Sequence, residues 1–313
     1  MKVYSALEVA ERLPYLALID RLREAFTQSI QTPMRSLYRL GLPNGTSAEL
    51  GIMPAWQATG SIAVKIFTIF PDNPANELPA IHAHILLLDA SSGVPTAVVD
   101  GTEVTRRRTA ASSALAASFL ARKDSDTLLI VGTGAQAVHQ ALAHAAVLPI
   151  RRVGIWGRST EKAAIVARSL SLRSTEFSVE VIEDLEAAAR QSDVITCVTR
   201  ASEPIIFGEW LRAGTFLDLV GSHTPQAREA DDQAVQRASV FVDTLEGAMA
   251  EAGDILIPLR RGVIRESDIR GDLRALCQGD VPGRRTAREI TLFKSVGTGL
   301  EDLAAASMVA AAG

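Results

Sequence analysis

The hydrophobic and polar positions of this chain change rhythm along its length. Residues 1–30 carry apolar positions at helical spacing. Ser5, with Glu8 three residues later, marks one helix start, and a second helix is predicted over 14–30. Residues 33–60 are punctuated by Pro33, Gly41, Pro43, Asn44 and Gly45 and read as strand and turn. Apolar runs at 61–68, 81–88 and 94–99 read as strands, separated by a Pro- and Asn-rich loop at 70–79 and a turn at Ser91-Ser92-Gly93. The first third therefore predicts helices with an antiparallel sheet.

A long helix is predicted over 103–121, and the pattern then alternates. Strands are expected at 127–131, 152–156, 178–182, 194–198, 215–220 and 239–243, with helices at 135–147 and 160–172. Short apolar runs alternating with helical ones give parallel βαβ units. The last segment, 286–310, is predicted helical and expected to return to the first domain. The fold class is α/β: a Rossmann-type dinucleotide-binding domain plus an α+β domain.

Composition narrows the function classes. Of 313 residues, 47% are hydrophobic and 22% charged, enough to bury a core without staples. The formal charge of -4, with no basic block, argues against nucleic acid or an anionic membrane as partner. Cys197 and Cys277 lie far apart, so neither a disulfide framework nor a zinc site is expected, and no histidine segment has metal-ligand spacing. The first residues lack the apolar core of a signal peptide and the apolar runs are strand-sized. A cytoplasmic protein without a membrane span is expected.

The strongest motif is Gly132-Thr133-Gly134-Ala135-Gln136-Ala137, a Gly-x-Gly-x-x-Ala turn between an apolar strand and a helix. Gly132 permits the turn, Gly134 lets a pyrophosphate approach the backbone, and Ala137 lets the helix pack close. The next strand ends Trp156-Gly157-Arg158-Ser159-Thr160, with no carboxylate before Glu161. An acid there would hold the ribose of NAD; Arg158 and Ser159 suit a 2′-phosphate instead, so NADPH is expected, with NADH as a weaker cofactor.

Several residues could serve a substrate. Lys65 interrupts the apolar strand Ile62-Ala63-Val64-Lys65-Ile66-Phe67, either as a buried catalytic ammonium or as an edge-strand lysine facing water. Arg106-Arg107-Arg108-Thr109 reads as a helix start, with one arginine binding a carboxylate or all three in solvent. Arg35 is a further cation whose spacing alone suggests the surface. Ser222 and His223, in Gly221-Ser222-His223-Thr224-Pro225, follow an apolar strand, where α/β folds bind ligands. His82 and His84 share one strand face. For each histidine a structural role is the stronger reading. Glu251 and Asp254 sit near a helix end, in solvent or reaching the site.

Ordered along the chain, Gly51-Ile52-Met53-Pro54-Ala55, Val64-Lys65, Leu78-Pro79-Ala80, Arg108-Thr109-Ala110-Ala111, the Gly132–Ala137 turn, Glu203-Pro204, Gly208-Glu209-Trp210, Arg228-Glu229, Glu251-Ala252-Gly253-Asp254 and Thr291-Leu292-Phe293-Lys294-Ser295-Val296-Gly297 resemble the ornithine cyclodeaminase/mu-crystallin family. The resemblance covers nearly the whole chain. It implies a homodimer, a substrate-binding and dimerisation domain of residues 1–115 with 292–313, and a Rossmann domain of 116–291. It implies that Arg35, Lys65, Arg108 and Glu251 bind substrate. His82, Thr109, Gly132, Gly134, Ala135, Gln136, Arg158, Ser159, Val198, Thr199 and Ser295 would meet the cofactor. Lys65, Arg108, Ser222 and His223 would be catalytic.

Cyclodeaminases of this family carry an aspartate in the loop where this chain has Ser222-His223, and an acid where it has Arg158. The chain is more similar to the ketimine reductases. The implied reaction is NAD(P)H-dependent reduction of a small cyclic imino acid: Δ1-pyrroline-2-carboxylate to L-proline and Δ1-piperideine-2-carboxylate to L-pipecolate. A cyclodeaminase or alanine dehydrogenase of the same fold is the alternative, followed by a binding protein without turnover.

Overall fold

The computed structural model describes residues 1–43 and 45–311. Asn44, read above as turn punctuation, and the last two residues of the expected first domain, 312–313, lie outside the described residues. The chain forms two compact units, residues 1–109 with 298–313, and residues 110–297.

The first unit opens with β1 (Lys2–Tyr4), α1 (Ala6–Arg12) and α2 (Tyr15–Thr27). Ser5 and Glu8 form the expected reciprocal cap of α1. The strands β2 (Ser36–Gly41), β3 (Ser47–Trp56), β4 (Ser61–Ile69), β5 (Ile81–Asp89) and β6 (Pro95–Asp100) follow. They make a six-stranded sheet ordered β1-β6-β5-β4-β3-β2, antiparallel except for the β1–β6 pair. Alternation divides its faces. In β4 the side chains of Ala63, Lys65 and Phe67 are buried, while Ile66 on the other face is 48% exposed.

Next comes α3 (Gly101–Leu120), within which the division between the units falls. An oxygen of Asp100 accepts from the Glu103 N–H at 2.7 Å and fixes where the helix begins. The arginine run is therefore not at a helix start: Arg108 lies two turns inside α3, too deep for the helix terminus to add to its attraction for an anion.

The second unit contains β7 (Thr127–Val131), α4 (Gln136–Ala145), β8 (Arg152–Trp156), α5 (Thr160–Ser171), β9 (Ser178–Val181), α6 (Leu185–Gln191), β10 (Val194–Cys197) and β11 (Phe216–Leu219). It continues with α7 (Asp232–Arg237), β12 (Ser239–Val242), α8 (Leu245–Glu251), α9 (Gly253–Arg260), β13 (Ile269–Asp272), α10 (Leu273–Gln278) and β14 (Thr291–Lys294). The eight strands are parallel, ordered β13-β12-β14-β11-β10-β7-β8-β9. Central strands bury both faces and so read as unbroken apolar runs: all four residues of β10 and of β11 are buried. The strand order reverses at the β7–β10 pair, which makes the ends of those strands the expected ligand crevice.

The final element, α11 (Gly299–Ala311), returns to the first unit and packs on α2, β3 and β4. The predicted helix over 286–310 is corrected here. Its first part holds β14, which pairs with both β11 and β12, and only the part from Gly299 is helical. Among the described residues, no helix is long and apolar enough to cross a membrane.

Candidate active site

Two groups of functional side chains form, one in each unit. In the first unit the alternation of β4 turns Lys65 inward onto α11, where it is 3% exposed. Its neighbours in register are Met53 on β3 and Ile85 on β5, so the strand is interior and the water-facing reading of Lys65 is excluded. The Lys65 Nζ lies 2.7 Å from Oδ2 of Asp302. Oδ1 of the same carboxylate accepts from Arg108 Nε at 3.1 Å, and Glu301 accepts from Arg108 Nη1 at 2.7 Å. Arg35, at the mouth of β2, is half-buried and near enough for its charge to act on Lys65.

Lys65 and Arg108 thus meet the carboxylates of Asp302 and Glu301 in one cluster, with the charge of Arg35 close by. Burial pulls the Lys65 pKa down to about 8; the Asp302 charge opposes that, and the Arg108 charge adds to it. Asp302 is held below the usual carboxylate range by Lys65 and Arg108, against its own burial. Arg106 and Arg107 have a different task, pairing with Glu103 on their own helix, and Arg107 also donates to Leu13 O. Thr109 follows Arg108 on α3 and is half-buried. His82 lies on the opposite face of the sheet from Lys65, exposed with His84.

In the second unit the expected residues gather at the C-terminal ends of the parallel strands. The turn after β7 carries Gly132 at φ 127°, where a Cβ would meet the Val198 carbonyl oxygen at 2.8 Å. A Cβ on Gly134 would meet nothing within 4 Å, so the backbone there borders open space. No side chain caps the start of α4, and the Gln136 Oε1 is buried without a hydrogen-bond partner. An uncapped helix start and an open glycine suit the phosphates of a dinucleotide. Ala135 is exposed beside them. At the end of β8, Arg158 is exposed and Ser159 caps α5 by accepting from the Lys162 N–H.

After β10, Val198 donates its N–H to Val131 O, and Thr199 donates both N–H and hydroxyl to Glu229. After β11, the buried Ser222 hydroxyl donates to Ala201 O at 2.8 Å, while His223 is exposed. Ser295, following β14, is buried and donates its N–H to Leu219 O. Glu251 ends α8, half-buried.

Sequence reasoning gave no role to Glu301 and Asp302, although two adjacent acids in an otherwise apolar helical segment are a readable signal of buried cations opposite. Glu229 and Lys294 entered only as parts of motifs, and Asp254 as an acid either in solvent or reaching the site. All three are buried: Asp254 lies 3.2 Å from Lys294 Nζ and accepts from the N–H groups of Glu229 and Ala230. They hold up the loops of the crevice from beneath. Asp254 is therefore not in solvent.

The model of the ornithine cyclodeaminase/mu-crystallin family matches residues 1–312. The chain belongs to this family. Among relatives of the ornithine cyclodeaminase/mu-crystallin family, the Δ1-pyrroline-2-carboxylate reductase of Colwellia psychrerythraea is 37% identical over 311 residues, covering 99% of this chain and 98% of that protein. The solved Δ1-pyrroline-2-carboxylate reductase of Thermococcus litoralis, in complex with NADH and L-proline, superposes with a TM-score of 0.94 at 32% identity, covering 99% of this chain and 97% of that one. An archaeal alanine dehydrogenase dimer with bound NAD superposes at 0.90 with 28% identity, covering 99% and 95%.

Proposed function

We propose that this protein reduces the C=N bond of a small cyclic imino acid with a nicotinamide dinucleotide, converting Δ1-pyrroline-2-carboxylate to L-proline and Δ1-piperideine-2-carboxylate to L-pipecolate. The observation that carries the reading is the buried Lys65–Arg108 pair, held by Asp302 and Glu301 with the half-buried Arg35 close by. Cations gathered in a low-dielectric setting suit a carboxylate substrate. The reductases named above support the choice of an imine over an amine to be released.

When bound, the dinucleotide supplies a hydride to the imine carbon. Gly132, Gly134, Ala135 and Gln136 hold its phosphates, with Val198, Thr199 and Ser295 bordering the same end of the sheet. Arg35 and Arg108 draw the substrate carboxylate and orient the ring. Lys65, as an ammonium, gives the proton that the ring nitrogen gains as the carbon gains hydride; positioning of donor and acceptor carries much of the rate. Ser222 keeps its loop in shape through Ala201, and His223 and Glu251 border it. Arg158 and Ser159 take the 2′-phosphate and make NADPH the preferred cofactor.

The reading extends to a homodimer. The outer face of the first unit's sheet exposes Tyr38, Trp56 and Ile66, an apolar surface of the kind a second copy covers. The alanine dehydrogenase neighbour is a dimer. The direct test of function is a panel of cyclic imines, ornithine, and pyruvate with ammonia, read by oxidation of NADPH and of NADH in parallel. Turnover confined to cyclic imines supports the proposal, and ammonia release from ornithine overturns it.

A further inference from the structure

We propose that Asp302 is the positioning residue of the cation cluster, its two oxygens holding Lys65 and Arg108 in one fixed arrangement. Asp302 is 1% exposed and comes from α11, remote in sequence from both partners. Oδ2 lies 2.7 Å from Lys65 Nζ and Oδ1 3.1 Å from Arg108 Nε, so one planar carboxylate sets the distance and angle between an ammonium and a guanidinium. Glu301 takes a second nitrogen of Arg108 and keeps the guanidinium from turning away.

The charged groups facing Lys65 are few. From α11 comes Asp302, with Glu301 beside it on Arg108; from α3 comes Arg108; from the segment before β2 comes Arg35. The neighbouring strand positions, Met53 and Ile85, carry no charge, and the Phe67 ring lies 5.6 Å from Nζ. Burial and two arginines drive Lys65 toward its neutral amine; Asp302 is the group that opposes them. Without it the proton that the reaction needs would leave Lys65 at lower pH. Asp302 touches no reacting atom in this scheme and acts through Lys65 and Arg108.

The consequence for turnover rests on the imine-reductase reading, while the consequence for Lys65 stands apart from it. The test uses the full-length protein with 13C-labelled lysine ε-carbons, the Lys65 signal being assigned with Lys65→Arg. Wild-type Lys65 is expected to titrate near about 8. In Asp302→Asn the midpoint is expected to fall by about one unit or more, and the alkaline limb of kcat/KM for imine reduction to move with it. Asp302→Glu is expected to retain the titration but lose roughly tenfold in kcat with little change in KM, because the carboxylate is displaced by one methylene. A Lys65 midpoint unchanged in folded Asp302→Asn overturns the proposal. Should Asp302→Asn not fold, unchanged kcat in Asp302→Glu overturns it instead. If the Lys65 midpoint moves but the wild type reduces no cyclic imine, the functional reading fails and the role of Asp302 toward Lys65 stands.

Discussion

The carboxylate of Glu229 holds Thr199 through a single oxygen, accepting from its N–H at 2.7 Å and its hydroxyl at 2.8 Å. The other oxygen accepts from the Gly221 N–H at 2.7 Å. One buried acid therefore ties together the loops that follow β10 and β11, beside the turn of Gly132. Lys294 supplies the nearby positive charge that offsets its burial. The crevice is built by an acid that need not touch a ligand.

Glu229→Gln replaces one of these acceptor oxygens with an amide donor facing N–H groups. Lost hydrogen bonds to a buried charge are worth about 1.5–3 kcal/mol. Part of that is expected to appear as a lower Tm and part as roughly tenfold weaker dinucleotide binding, measured by calorimetric titration. Unchanged affinity would mean that the Thr199 loop does not border the cofactor.

Arg158 is exposed at the end of β8, with no acid before Glu161. In Arg158→Ala the affinity for NADPH is expected to fall about tenfold or more, one lost charge-assisted contact, while that for NADH stays within about twofold. Equal losses for both cofactors would remove the 2′-phosphate from the account. Fluorescence titration of the reduced cofactors reads both.

Not all of this was legible in the residues. The Gly132–Ala137 turn was, because its chemistry is local: strand, turn and helix lie in one stretch of chain. The strands β7 to β12 were, because turns and helices bound each apolar run. β14 was not, since Thr291-Leu292-Phe293-Lys294 is short and buried throughout, and no periodicity separates such a run from one turn of buried helix. β13 was missed for the opposite reason: Ile269-Arg270-Gly271-Asp272 is a polar edge strand that carries no apolar signature. The fate of Lys65 was undecidable from its strand alone. Whether a lysine in an apolar strand faces water or a partner depends on what covers that face, and the covering acid lies far along the chain at Asp302.

The sheet of the first unit has one face packed by α11 and one that leaves Ile66 48% exposed. A carboxylate placed there is costly to bury against a second copy. Ile66→Glu is expected to convert a dimer to a monomer in multi-angle light scattering, with the folded far-ultraviolet spectrum retained. A dimer of unchanged affinity would move the interface elsewhere.

Asp218 carries a pH dependence of its own. It is fully buried, and burial raises its pKa from 3.8 to about 7, against the Ser113 hydroxyl that donates to it at 3.2 Å. Between those values the native protein binds a proton that the unfolded chain has released. Its contribution to stability is thus full at acid pH, fades as pH rises through this window, and is gone above about 7. His144, whose Nε2 lies 3.8 Å away, has its pKa lowered by burial to about 4 and contributes with the opposite sign. Asp218→Asn removes the first contribution and keeps the second. Its stability relative to wild type is expected to rise by about 1 kcal/mol or more between mildly acidic and mildly basic urea denaturations; a constant difference across that range would contradict the assignment.

The most direct measurement follows NADPH oxidation by the purified protein with Δ1-pyrroline-2-carboxylate, comparing wild type with Lys65→Met and Arg108→Met. Wild-type turnover that yields L-proline is expected, with kcat/KM at least about a hundredfold lower in each variant, in keeping with loss of a proton donor or of a charged anchor. No turnover by the wild type, or full turnover in either folded variant, would contradict the assignment of this cluster to imine reduction.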